Sequence, residues 1–124
     1  MKNVLLVDDD PVTHMIVGLM LGGLTDDRCR TVMTTQWKEA LEHANARAFD
    51  MILLDNKLSR TITAQVTVPM LMKARYRSPI AIISSDIRQD YLTHPSVLGV
   101  DYIVDKARLT EFLKTQVALA SVLR

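Results

Sequence analysis

The stretch Asp50-Met51-Ile52-Leu53-Leu54-Asp55 constrains this chain more than any other. Four apolar residues run without a break and end in an acid. A run that short and unbroken is the pattern of a strand buried on both faces, as in a parallel sheet covered by helices. Val4-Leu5-Leu6-Val7 runs the same way into Asp8-Asp9-Asp10, and Ile80-Ala81-Ile82-Ile83 runs into Ser84-Ser85-Asp86. In open α/β sheets, ligands sit beyond the carboxyl ends of the strands. As parallel neighbours, these three strands gather carboxylates and hydroxyls around one point.

The remainder of the chain fits that frame. At 124 residues it is most simply one domain, spanning residues 1–124, and long enough to bury roughly two thirds of its unfolded surface. A hydrophobic fraction of 48% supports a packed core and excludes disorder. A net charge of +1 gives no general pull toward nucleic acid or membrane. The few aromatics do not interleave with basic residues, so a base-stacking surface is not expected. The single Cys29 allows no internal disulfide and suits a reducing compartment. No apolar run approaches the ~18 residues of a membrane span, and no signal-peptide layout opens the chain. A cytoplasmic protein is the expectation.

Strand and helix signals alternate throughout. Asp10 and Pro11 form a helix start, acid cap then proline, and this helix runs through Met15, Ile16, Leu19 and Met20 to Gly22-Gly23. A weak second strand from Cys29 to Thr34 reads as an edge. Thr35 is placed to cap a helix with an apolar stripe of Trp37, Ala40, Leu41 and Ala44. Residues 59–67 are rich in Thr and Ser, and the β-branched threonines and valine there disfavour a helix locally, so the next helix is read over Pro69 to Tyr76, ending before Ser78-Pro79. A short polar helix around Ile87 to Thr93 stops near Pro95. Val100 to Val104 is a fifth strand, and Leu109, Leu113, Val117 and Ala120 share one face of a last helix, with Phe112 beside them. Five strands with intervening helices predict a doubly wound α/β sandwich with right-handed crossovers.

Asp8, Asp9 and Asp55 are the strongest candidates for chemistry. Like charges about 4 Å apart repel by several kcal/mol, so a cation is expected among them. Three hard oxygens with room for water suit Mg²⁺. The plainer alternative is that the Asp8-Asp9-Asp10 triplet only caps the first helix. Ser84 could donate to an oxyanion near Asp55, or merely cap the following turn. Lys106, after the fifth strand, could neutralise the same oxyanion or lie in water. Lys57, two residues after Asp55, points the same way as Asp55 if the chain stays extended, and its ammonium could then approach the acids; otherwise it is solvated. His14, His43 and His94 have no metal-like spacing and are read as structural or surface residues. The seven methionines are read as core filler. There is no glycine-rich phosphate loop and no G-x-S-x-G elbow.

Val4-Leu5-Leu6-Val7-Asp8-Asp9-Asp10-Pro11, then Asp50 to Asp55, then Pro79-Ile80-Ala81-Ile82-Ile83-Ser84, then Lys106, together resemble the receiver (phospho-acceptor) domain of bacterial two-component response regulators, the CheY-like family. The resemblance spans the whole chain. It implies a flavodoxin-like fold with five parallel strands in the order 2-1-3-4-5 and helices on both faces. It implies that Asp55 accepts a phosphoryl group from the phosphohistidine of a histidine kinase. Asp8, Asp9, Asp55 and the backbone carbonyl of Lys57 would hold Mg²⁺, Asp9 directly, and Ser84 and Lys106 would contact the phosphoryl oxygens. The partners implied are a sensor histidine kinase or phosphotransfer protein, a downstream effector domain or protein, and a phosphorylation-dependent second copy. Neither nucleic acid nor membrane is implied as a direct partner.

The chain departs from that pattern in places. The family's usual proline and glycine after the acceptor are Ser59 and Thr63 here, and the small residue after Ser84 is Ser85. The family's lysine is followed by proline through a cis bond; here Ala107 follows Lys106, and a cis bond to a non-proline residue costs ~2.5–4 kcal/mol. A trans bond, a rerouted loop and an ammonium farther from Asp55 are therefore expected. The family's aromatic switch position is Ile103, with Tyr102 one place away. A pseudo-receiver, which keeps the fold as an interaction module without phosphotransfer, is the second reading. A small haloacid-dehalogenase-like phosphatase is the third: Asp8 as nucleophile, Asp10 as acid/base, Ser84 as its hydroxyl and Asp101 with Asp105 as its late acids. That reading leaves Asp55 without a role.

Overall fold

The computed structural model describes residues 3–24 and 30–122. Five strands, β1 (Asn3–Val7), β2 (Arg30–Thr34), β3 (Met51–Asp55), β4 (Ile80–Ser84) and β5 (Tyr102–Asp105), form one sheet in the order β2-β1-β3-β4-β5. All four pairings are parallel. This is the flavodoxin-like order. The chain turns outward from β1 to the edge strand β2, then crosses back to β3, so the topological switch lies between the carboxyl ends of β1 and β3.

The unbroken apolar runs are buried on both faces, and successive residues alternate between two cores. Leu5, Val7, Ile52, Leu54, Ile80 and Ile82 face one side. There they meet α2 (Trp37–Ala46) and α3 (Ala64–Lys73), through Ala40, Val68 and Leu71. Val4, Leu6, Met51, Leu53, Ala81 and Ile83 face the other side, where α1 (Pro11–Leu24) and α5 (Leu109–Val122) supply Val17, Leu21, Leu109 and Leu113. The expected stripe of Trp37, Ala40, Leu41 and Ala44 packs as read, and Phe112 lies edge-on to Tyr102 at 5.1 Å between ring centroids.

Several local expectations are corrected. Helix α1 runs past Gly22-Gly23 to Leu24, and on it Met15, one of the methionines expected in the core, is exposed, as is Leu19. Cys29 and the side chain of Ala120 lie outside the described residues. Helix α2 has Gln36 as its N-cap, without a side-chain cap; Thr34, not Thr35, takes the Gln36 N–H. The third helix covers Ala64–Lys73, with Pro69 inside it. Pro69 is the sixth of its ten residues, past the first turn, so α3 forms although this position has no N–H to offer the carbonyl four residues back. In place of a helix over residues 87–93, a 3₁₀ turn covers Asp90–Leu92 and the one-turn α4 (Pro95–Leu98) begins at the proline read as a stop. Proline suits a first helical turn, and the His94 ring accepts the Ser96 N–H as its cap. Strand β5 starts at Tyr102, two residues later than read.

Candidate phosphoryl and metal site

β1 and β3 deliver the acids. Asp8 follows β1, prolongs the ladder through its N–H to the Thr34 carbonyl (3.1 Å), and is fully buried. Its Oδ1 accepts the Asp10 N–H at 2.8 Å, and Asp10 Oδ1 accepts the Val12 N–H at 2.9 Å, so Asp10 caps α1 as its sequence position predicts. Asp55 ends β3 and is buried, while Asp9 is exposed at the rim. Each of the three offers a carboxylate oxygen, and these oxygens lie within 4.8 Å of one another. At an effective dielectric of about 20, two such charges repel by roughly 3–4 kcal/mol.

Among the described residues one cation pairs with them. Lys106 Nζ lies 2.9 Å from Asp8 Oδ2 and 3.5 Å from Asp55 Oδ2. The peptide bonds among the described residues are trans, as expected after Lys106. The expected displacement of the ammonium is corrected: Asp105 accepts the Ala107 N–H at 2.9 Å, a 3₁₀ turn covers Lys106–Arg108, and Lys106 still reaches both acids. Lys57 does not. Its side chain is exposed and forms no ion pair among the described residues, although its N–H points to Asp55 Oδ1 at 3.4 Å. The Asp55 carboxylate accepting the Lys57 N–H turns the chain at Asn56, so the extended run that would aim Lys57 at the acids ends there.

Burial, then the charge of Asp8, pushes the Asp55 carboxyl up to about 7 against the opposing pull of Lys106. Burial alone would lower the Lys106 ammonium, but its bond to Asp8 and the charges of both acids hold it above the usual lysine value. One ammonium among three carboxylates leaves the group short of positive charge. A donor set of hard carboxylate oxygens, partly open to water, fits a small divalent cation.

Ser84 ends β4 and is buried. Its Oγ donates to the Asp86 carbonyl at 2.9 Å and accepts the Asp86 N–H at 3.2 Å, so the hydroxyl is engaged in its own turn. The late acids of the phosphatase reading lie apart from the cluster. Asp101 accepts the Ile80 N–H at the opposite end of the sheet, and Asp105 caps the turn after β5.

Asn56 escaped the sequence reading, and His14, expected to be structural or on the surface, is structural through a partner the sequence did not indicate. His14 Nε2 lies 2.6 Å from the Asp8 carbonyl oxygen, tethering the β1–α1 turn; a carbonyl only accepts, so Nε2 carries the proton. Asn56 is buried beside Asp55, with its amide bonded to Tyr91 Oη and to the Ala64 N–H. Nothing in a lone histidine or in an asparagine after a strand signals such partners.

A family model described as the response regulator receiver domain matches residues 4–118. No curated protein matches significantly. Among solved structures, the chain is similar to the receiver domain of the sensor histidine kinase PA1611 from Pseudomonas aeruginosa, which has a magnesium ion coordinated in its active-site cleft. The two share 22% identity with a TM-score of 0.73, over 94% of this chain and 98% of that one. It is similar to the chemotaxis protein CheY4 of Vibrio cholerae, at 24% identity and TM-score 0.75, over 94% and 96% of the two chains. It is also similar to the phosphorylated cyanobacterial phytochrome response regulator RcpA, at 24% identity and TM-score 0.73, over 94% and 88%. At these identities the likeness establishes the fold.

Proposed function

Because the chain belongs to the response regulator receiver domain family, we propose that it takes a phosphoryl group from a histidine kinase or phosphotransfer protein onto Asp55. The observation that carries this reading is the convergence of Asp8, Asp9 and Asp55 on one point with Lys106 reaching in from β5. An isolated cap would need no second acid from another strand.

In this reading an Asp55 carboxylate oxygen attacks phosphorus, the phosphorus–nitrogen bond of the donor's phosphohistidine breaks, and the imidazole leaves with its electron pair. Asp8, Asp9, Asp55 and the Lys57 carbonyl hold Mg²⁺, the ion present in the PA1611 domain. When bound, the ion neutralises charge on the transferring oxygens. Lys106 supplies the second positive charge from the side of Asp8, and Asp8 holds that ammonium in place. Ser84 exchanges its turn bonds for a phosphoryl oxygen, which requires the Asp86 loop to shift. The protein then acts as a signalling domain of the cytoplasm, self-catalysing at most its own phosphorylation and dephosphorylation. An effector domain or protein, or a second copy of the chain, reads its state. Among the described residues no helix is long and apolar enough to cross a membrane.

Incubation with acetyl phosphate and Mg²⁺ followed by intact mass tests the reading. The expected result is a gain of one phosphoryl group that disappears in Asp55→Asn. A gain that survives this substitution refutes the acceptor. No gain in the wild type favours the pseudo-receiver, for which Ser59 and Thr63 in the loop after Asp55 already speak.

A further inference from the structure

The loop 57–63 begins at Lys57, whose carbonyl is a ligand in the proposed metal site, and it has Ser59 and Thr63 where the family usually has proline and glycine. It is closed instead by side chains. Ser59 Oγ accepts the Thr61 and Ile62 N–H groups at 3.3 and 3.1 Å, and the Leu58 N–H meets the Ile62 carbonyl at 2.9 Å. Both ends of the loop are held by Asn56. Its own N–H donates to the Ile83 carbonyl at 2.8 Å, fixing it to β4. Its Oδ1 accepts the N–H of Ala64, the first residue of α3, at 3.3 Å. Thr63, the N-cap by position, makes no side-chain cap. Asn56 therefore caps α3 from eight residues upstream, across the loop.

The amide has one possible orientation. A backbone N–H only donates, so Oδ1 must face Ala64 and Nδ2 must face Tyr91. Tyr91 Oη accepts from Nδ2 at 3.0 Å, from the 3₁₀ turn after β4. With Asn56 only 5% exposed, water cannot readily replace either bond. Tyr91 thus locks the side chain that closes the loop.

We propose that Asn56, held by Tyr91, is a positioning residue for the metal-side loop: it clasps residues 57–63 and so fixes the backbone at Lys57, next to the acids. This rests on the reading of the Lys57 carbonyl as a metal ligand. Partners that orient ligands typically change metal affinity 10–100-fold when removed.

Calorimetric titration of Mg²⁺ into wild type, Asn56→Ala, Tyr91→Phe and Asp9→Asn tests the proposal, alongside amide hydrogen exchange at Ala64 and Leu58 without metal. Expected are Mg²⁺ binding about 10-fold or more weaker in Asn56→Ala, a smaller loss in Tyr91→Phe, and faster Ala64 and Leu58 exchange in both. A folded Asn56→Ala that binds Mg²⁺ as wild type does overturns the proposal. If Asn56→Ala does not fold, Tyr91→Phe decides: wild-type affinity with wild-type exchange at Ala64 overturns it. Wild-type binding unaffected by Asp9→Asn, or absent altogether, marks failure of the metal reading instead. In that case the clasp stands on faster Ala64 exchange in Tyr91→Phe and falls if the exchange is unchanged.

Discussion

Lys106 stands closer to Asp8 than to Asp55, at 2.9 Å against 3.5 Å. The single ammonium thus compensates first the most buried acid, a residue that would itself hold the metal, and only second the acceptor. Lys106→Met should strand Asp8 with no countercharge. Breaking a buried pair from one side costs on the order of 3 kcal/mol, so the metal-free variant should melt well below wild type. A divalent cation supplies the missing charge, so Mg²⁺ should raise the variant's melting temperature more than that of wild type. Thermal melts with and without Mg²⁺ check this; equal increments in both proteins would separate Lys106 from the metal site.

The Asp55 carboxyl sits at about 7, against 3.8 for an ordinary aspartate. Between these values the unfolded chain has released the proton and the folded protein retains it, so stability falls as pH rises. The metal-free wild type should therefore lose stability from about pH 4 to just above 7, by on the order of 2–4 kcal/mol. Asp55→Asn carries no such charge and should show a flatter profile and a more stable protein at pH 8. Saturating Mg²⁺ should flatten the wild-type profile as well, since it favours the ionised carboxylate. Chemical denaturation at several pH values reads all three.

Legibility of the sequence tracked how local each signal was. The strands were plain, because burial on both faces demands unbroken apolar runs such as Ile52 to Leu54 and Ile80 to Ile83. Their acidic ends and shared topology were enough to bring Asp8 and Asp55 together. Helix α3 differs from the sequence expectation because Val66, Thr67 and Val68 disfavour helix locally and Pro69 looks like a start, whereas packing of Ala64, Val68 and Leu71 in the core beside the sheet decides the outcome. Helix α4 is a single turn with no buried residues, too short to show a period. The Asn56–Tyr91 bond joins residues 35 apart in neutral, common types, and no spacing rule reaches that far.

The Lys57 side chain is exposed and pairs with none of the acids among the described residues, so its ammonium does not stand in for the metal. An exposed charge with no ion pair contributes little through water. Lys57→Ala should therefore bind Mg²⁺ within about twofold of wild type, because the substitution leaves the backbone carbonyl in place. Calorimetry on the two proteins checks this. A clearly tighter variant would bring the ammonium back to the acids.

The end of α3 carries a separable strain. Arg75 has φ 62°, in the left-handed region, while its N–H bonds Met72 and the Tyr76 N–H reaches back to the Leu71 carbonyl at 3.0 Å. That pair of bonds is the closing geometry of a helix that ordinarily places glycine at the left-handed position. A side chain there costs about 1–2 kcal/mol, and glycine avoids the cost while giving back part of it as unfolded-state entropy. Arg75→Gly should then stabilise the protein by about 0.5–1 kcal/mol, or roughly 2–4 °C in melting temperature for a chain of this size. Arg75→Ala removes the same charge without relieving the backbone, and should give no gain. The turn lies at the opposite end of the sheet from Asp55, so acetyl phosphate labelling should be unchanged in both variants. Equal melting temperatures for the glycine and alanine variants would show that the side chain's charge, not its φ, governs this turn.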